Sequence, residues 1–265
     1  MRARIDADEV VIGTGTVIHP TAVLCGPTGG RARRIVLGDH CYVGESVQLR
    51  CDDFAMGDYG KIHHHGNVHG AQRCHLGHNA WIGQYTLLDS TGGLTIGDNC
   101  GIGAHSQLWS HIKYGDTLEG CRFLGERPLT IGKDVWFVGH CIVSPITAGD
   151  RAMAMVGSVI TRDLEPNHVY GGSPAVDLTA KVGPQFAPVT IDAKLARLGE
   201  LLAEAAATAE VDPTPIALAA TAADITDDQR TWFVVDDRTY TKRGTAAEVA
   251  FMKFLLPARG KFTPR

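Results

Sequence analysis

Twelve histidines in a chain of 265 residues supply most of its candidates for proton transfer, and His111 has the most favourable placement. It lies in Leu108-Trp-Ser-His-Ile-Lys-Tyr-Gly-Asp116, where a regular pattern of aliphatic residues stops and a long irregular segment begins. An imidazole there has a rigid base on one side and open space on the other. With an ordinary pKa of about 6.5 it can accept a proton from a hydroxyl or amine at neutral pH. Cys121, in the segment beyond it, is a possible nucleophile, but no second activating group accompanies it. His63, His64, His65, His69, His75 and His78 form a second concentration. They are open to three readings: lining an acceptor site, binding a metal, or stacking at a symmetry axis. A plain structural or solvated role is the simplest for any single one.

The element that must position His111 is a repeat. An aliphatic residue followed by glycine recurs at Ile12-Gly13, Leu37-Gly38, Val43-Gly44, Leu76-Gly77, Ile82-Gly83, Ile96-Gly97, Ile102-Gly103 and Ile131-Gly132. Within each block the aliphatic positions step by six, as at 76, 82 and 88 or 96, 102 and 108. Four residues after each anchor stands a smaller side chain, among them Cys41, Ala80, Cys100 and Ser106. Neither the helical period of about 3.6 nor the strand period of 2 gives this spacing. A chain coiling round a triangular prism does, with six residues per face, an aliphatic filling the interior and a turn residue at each corner. Three hexads make one coil of about 18 residues, and stacked coils bury a continuous core. The coil through Met56, Ile62 and Val68 is the least regular. Residues 25–34 and 112–128 read as loops thrown out from the coils.

The pattern resembles the hexapeptide-repeat acyltransferases, in particular the sugar O-acetyltransferases. The likeness is most specific in Ile131-Gly-Lys-Asp-Val-Trp136, in Gly149–Asp163 and in Tyr170-Gly-Gly-Ser-Pro-Ala175. It implies an all-β solenoid, a left-handed parallel β-helix over 10–182, followed by a small α/β extension over 183–265. It further implies a homotrimer with sites between subunits and acetyl-CoA, or another acyl-CoA, as co-substrate, with no metal. His111 takes the place of the family's general base. Trp136, Gly139, Ala154, Gly157, Ser158 and Arg162 take the places of residues that hold coenzyme A. Where the family's closing motif continues with a lysine this chain has Val176, and Lys181 is the substitute. Asp116 and Glu119 are positioned to bind an acceptor, expected to be the hydroxyl or amine of a sugar or related small molecule.

Two other functions remain compatible with the repeat. γ-Class carbonic anhydrases use the same helix with three zinc-binding histidines, and His69 and His105 lie near that family's spacing. The third ligand would fall at Ser110, one residue before His111, and a one-residue slip turns a side chain elsewhere. A scaffold that has lost its chemistry is the other alternative.

Composition narrows the classes. Lys plus Arg is 25 against 29 for Asp plus Glu, with a net charge of −4 and no cationic block. That argues against a nucleic-acid or anionic-membrane footprint. No apolar run approaches a span of about 18 residues, and the N-terminal stretch has no signal-peptide core. Seven scattered cysteines without a CxxC pair suit reduced thiols in a cytoplasm. After Val182 the pattern changes: Leu195, Leu198, Leu202 and Ala205 predict an amphipathic helix over 191–208. Pro213 and Pro215 predict a linker, 231–235 a strand, and 245–256 a second helix.

Overall fold

The six-residue spacing becomes three parallel sheets visited in rotation. In the computed structural model, which describes residues 3–265, Val23–Cys25 lies in the first sheet, Ala32–Leu37 in the second and Tyr42–Val43 in the third. Gln48–Cys51 then returns to the first. The sheets hold eight, seven and nine strands. Their pairing is parallel until the final strand, Ala175–Asp177, turns back on Val169–Gly172.

Register places aliphatic residues in columns. In the first sheet Leu24, Leu49, Val68, Leu88, Leu108, Val143 and Ile160 stand in line. All are at most 1% exposed. Burying each such side chain contributes about 1.5–3 kcal/mol, so the stack has a continuous core although its strands are very short. The coil through Met56, Ile62 and Val68, irregular in sequence, is regular here: these residues pair with Leu76, Ile82 and Leu88. Its unusual residues fall at corners, where Tyr59 and His65 adopt positive φ, and the core positions are unaffected.

Corners explain much of the histidine content. Ser46, His65, Tyr85, His105 and His140 follow one edge with φ between 51° and 58°. This left-handed conformation is uncommon for such residues. Here it lets each backbone N–H donate to the preceding coil, as His105 N does to Gln84 O at 2.9 Å and His140 N to Ala104 O at 2.8 Å. The rings of His65, Tyr85, His105 and His140 stack at 4.8–5.0 Å between neighbouring centroids.

Both expected loops are more ordered than the sequence suggests. The first contains a short 3₁₀ turn, Pro27–Gly29, and strand pairing resumes at Ala32. The second carries an antiparallel hairpin, His111–Lys113 against Leu124–Glu126. None of the seven cysteines is in a disulfide, and six are buried.

The chain divides at Phe186, and Ala187–Arg265 forms a second unit. Its long helix, Ile191–Thr208, is capped by Thr190, whose hydroxyl accepts from Ala193 N. The helix buries Leu198, Leu201 and Ala205, leaving Leu195 and Leu202 at its margins. The stretch read as linker leads directly into a strand, Ile216–Ala219, parallel to Thr231–Val234. Two prolines within three residues disguised it, because they stand just outside the pairing. Helix Ala246–Leu255 completes the unit. Its buried Glu248 is satisfied by the Thr231 hydroxyl at 3.0 Å and by the backbone N–H groups of Arg243 and Gly244. Among the described residues, no helix is long and apolar enough to cross a membrane.

Candidate active site

Coil register brings His111 to Asp89, a residue the sequence reading did not select. Leu88 pairs with Leu108 and His69 with Asp89, so His69, Asp89 and Trp109 stand one above another at the end of the first sheet. Leu88 faces the core, so Asp89 faces outward by strand alternation. It is nevertheless fully buried, because the chain after Trp109 folds over it. His111 Nδ1 lies 2.8 Å from Asp89 Oδ2. Ser110 gives the same oxygen its hydroxyl at 2.6 Å and its backbone N–H at 2.8 Å. The other oxygen accepts from the Thr91 hydroxyl at 2.6 Å and Thr91 N at 3.1 Å, with His69 Nε2 at 3.4 Å.

This environment sets the charge of Asp89. Burial alone raises a carboxyl pKa, but the hydrogen bonds from Ser110, Thr91 and His111 outweigh it and hold Asp89 at about 2. An ionised carboxylate only accepts hydrogen bonds, so His111 must carry its proton on Nδ1. That leaves Nε2 with a free lone pair. The side chain is 24% exposed, enough for an acceptor to reach it. A histidine fixed in one tautomer by a buried carboxylate has the arrangement that proton transfer requires. Ser110 is itself held: its hydroxyl accepts from Gly92 N at 2.9 Å, and its carbonyl accepts from Arg127 N at 3.0 Å. Trp109 meets both histidines edge to face, with centroids 5.9 Å from His111 and 6.4 Å from His69.

The remaining sequence candidates are distributed over different edges. Arg162 stands on the edge that carries His111: it follows Ile160 by two residues as Ser110 follows Leu108, two strands further along the first sheet. Two strand spacings put them roughly 10 Å apart along the stack. Arg162 also lines a cavity of about 270 Å³ with Tyr170, Val176 and Asp177. Trp136 is 47% exposed on the third sheet, and Gly139, at φ 147°, lies at the corner between the third sheet and the first. A single chain therefore puts Trp136 and Gly139 on a different edge from His111. Gly157 is also left-handed, at φ 73°, with nothing within 4 Å of where a side chain would begin.

Two of the expected donor-site residues offer no side chain. Ala154 is fully buried in the core, and Ser158 is buried with its hydroxyl donated to Met155 O at 2.6 Å. Lys181 is exposed in the short helix Thr179–Val182. Asp116 uses its carboxylate locally, accepting from Leu118 N at 2.9 Å, while Glu119 is exposed on the hairpin loop. Cys121 packs against Gly115, with no room for a side chain there.

The histidine concentration separates in the same way. His63 lies between Tyr42 and Trp81, His65 joins the stacked corner, and His69 reaches Asp89. His78 Nδ1 accepts from Asp58 N at 3.0 Å. His105, the other candidate zinc ligand, stacks between Tyr85 and His140 on another edge from His69. Among the described residues, no group of three or more His, Cys, Asp or Glu side chains is placed to hold a metal ion within one chain.

No protein-family model matches the chain. Galactoside O-acetyltransferase from Escherichia coli K12 is 33% identical over 105 residues, 38% of this chain and 50% of that enzyme. In that stretch the chain is similar to an acetyltransferase. The bifunctional protein GlmU of Syntrophomonas wolfei is 29% identical over 186 residues, 62% of this chain and 38% of that one. The chain thus spans half or less of these curated relatives. Among solved structures, the polySia-specific acetyltransferase NeuO aligns at 15% identity and TM-score 0.45, over 72% of this chain and 93% of that one. A maltose O-acetyltransferase from Clostridium difficile aligns at 24% and 0.37, over 54% and 65%.

Proposed function

We propose that the protein is an acyl-CoA-dependent acyltransferase that moves an acyl group, most simply acetyl, onto a hydroxyl or amine of a sugar or related small molecule. The observation that carries this reading is the pairing of His111 with buried Asp89, at 2.8 Å, on the edge where the hairpin leaves the coils. The similarity to galactoside O-acetyltransferase supports the reaction class.

In this account the coils wind left-handed, as in the hexapeptide-repeat enzymes. Nε2 of His111 takes the proton of the acceptor as its oxygen or nitrogen attacks the thioester carbonyl. The carbon–sulfur bond then breaks, and the imidazolium returns the proton to the departing thiolate. Asp89 stabilises the imidazolium without taking its proton, being acidic at about 2. No acyl-enzyme is required, because the thiol is already a good leaving group, and Cys121 stays a bystander.

Coenzyme A fits the exposed backbone of the later coils. Gly157, left-handed and exposed, leaves main chain uncovered for an extended pantetheine arm, while Gly139 is buried against the backbone of Ala104 within one chain. Trp136 walls that arm, while Ala154 and Ser158, both buried, pack beneath the surface it would lie on. Arg162, with Lys181 as the second cation, meets phosphate. The oxyanion accepts a backbone N–H, assigned to Gly139. Because Gly139 and Trp136 stand on another edge from His111, the complete site joins two subunits, and a homotrimer closes it. Asp116 and Glu119, on the hairpin loop, face the acceptor. Seven cysteines, none in a disulfide, suit a cytoplasmic setting.

Acetyl-CoA should raise the apparent melting temperature, since a ligand of the native state stabilises it. Turnover measured as free thiol release across a panel of sugars should then identify the acceptor. Thermal stabilisation without turnover on any hydroxyl or amine would support a binding scaffold instead. Neither effect would remove the acyl-CoA reading.

A further inference from the structure

His69 shares the edge of His111 without a part in the proton transfer. It stands one coil before Asp89 in the first sheet, and Trp109 stands one coil beyond. Its Nε2 lies 3.4 Å from Asp89 Oδ1, and its side chain is 34% exposed, more than that of His111. The indole of Trp109 meets both imidazoles edge to face, and its own N–H donates to Gln107 Oε1 at 3.3 Å.

Asp89 does not need this histidine. A carboxylate offers about four lone-pair sites. Ser110 and Thr91 supply two donors each and His111 one, all at 2.6–3.1 Å, so the sites are already filled. The dependence runs the other way. A lone pair on His69 Nε2 would be repelled by an ionised, fully buried carboxylate oxygen at 3.4 Å, whereas an N–H there is attracted. The proton of neutral His69 therefore sits on Nε2, and Nδ1 keeps its lone pair. Among the described residues nothing donates to that Nδ1. One carboxylate thus orients two imidazoles in opposite tautomers, and each is left with a nitrogen that accepts.

We propose that His69 is a substrate-binding residue, whose Nδ1 accepts a hydrogen bond from a second hydroxyl of the molecule whose reacting group meets His111 Nε2. Resting on the acyltransferase reading, this role narrows the substrate to a polyol. Both imidazoles are tied to one carboxylate, so the two hydroxyls belong to one small molecule, such as a sugar ring. A carboxylate or phosphate of the substrate would be repelled at Nδ1, because neither side can donate. A monohydric alcohol would leave the nitrogen without a partner.

Nitrogen-15 NMR of the full chain, labelled at histidine, reads the tautomer without any substrate. The His69 ring, assigned by its loss in His69→Gln, should carry its proton on Nε2 under mildly alkaline conditions, where imidazole is neutral. A proton on Nδ1 would overturn the proposal. Transfer from acetyl-CoA to inositol and to cyclohexanol, which share a carbocycle but differ in hydroxyls, is the second measurement. Wild type should favour inositol at least about tenfold in kcat/KM. His69→Leu should raise KM for inositol about five- to tenfold with little change in kcat, and leave cyclohexanol unaffected. A histidine that only supports Asp89 would instead lower kcat on both alcohols alike. That result would overturn the proposal, as would unchanged inositol kinetics. Should His69→Leu fail to fold, or neither alcohol be acetylated, the wild-type tautomer decides. Absence of transfer to every hydroxyl and amine would overturn the acyltransferase reading and this role together, whereas transfer indifferent to His69 overturns the role alone.

Discussion

Asp89 and His111 are 22 residues apart in sequence and 2.8 Å apart in the fold, joined through Oδ2 and Nδ1. One step of the stack converts that separation into contact. The carboxylate fixes the tautomer of the imidazole, so removing its charge should reduce activity without removing the base. Asp89→Asn should lower kcat by roughly 10²–10⁴-fold while acetyl-CoA binding stays near the wild-type value. Steady-state turnover and a thermal shift with the donor measure the two effects separately. A variant retaining more than half of wild-type kcat would show that Asp89 does not orient the base.

The same carboxylate makes a prediction about acid stability. Asp89 has a folded pKa of about 2 against an ordinary 3.8. Since the folded value is the lower one, its stabilising contribution is complete above about pH 4 and is lost as pH falls toward 2. The shift corresponds to about 2 kcal/mol. Asparagine at this position cannot titrate. The stability difference between wild type and Asp89→Asn, from urea unfolding, should therefore shrink by about that amount between pH 5 and pH 2. A difference that stays constant over this range would mean that Asp89 is not held as an anion.

Gly92 supports the site from behind. A Cβ there would overlap the Ser110 carbonyl oxygen and come within 2.7 Å of Arg127 N, where the hairpin rejoins the coils. Overpacking of this kind costs about 1–3 kcal/mol, and relief requires Ser110 and His111 to shift. Gly92→Ala should lower turnover by at least about tenfold, since small misplacements of reacting groups are costly. It should also lower the melting temperature modestly. Wild-type turnover in this variant would separate Ser110 from the catalytic arrangement.

The extent to which the sequence disclosed this arrangement depended on the kind of interaction. The hexad columns were legible because each position repeats and each buries an aliphatic, as Leu88 and Leu108 do. His111 was legible because it stands where that repeat breaks. Asp89 was not, although the clue existed: His69, Asp89 and Trp109 are spaced by the twenty-residue coil. Reading it needed the register as well as the period. The plain structural reading suits several of the histidines, which could not be read as a group because neighbours such as His63 and His65 serve different faces and corners. In the second unit, the strand Ile216–Ala219 was masked by the prolines before it.

The claim that His111 is the general base is tested most directly by His111→Ala, assayed with acetyl-CoA and the identified acceptor. The account predicts a fall in kcat of roughly 10²–10⁴-fold, with donor binding nearly intact and Cys121→Ala close to wild type. Near-full turnover by His111→Ala would contradict it, and loss of all turnover in Cys121→Ala would replace direct transfer with a route through the thiol.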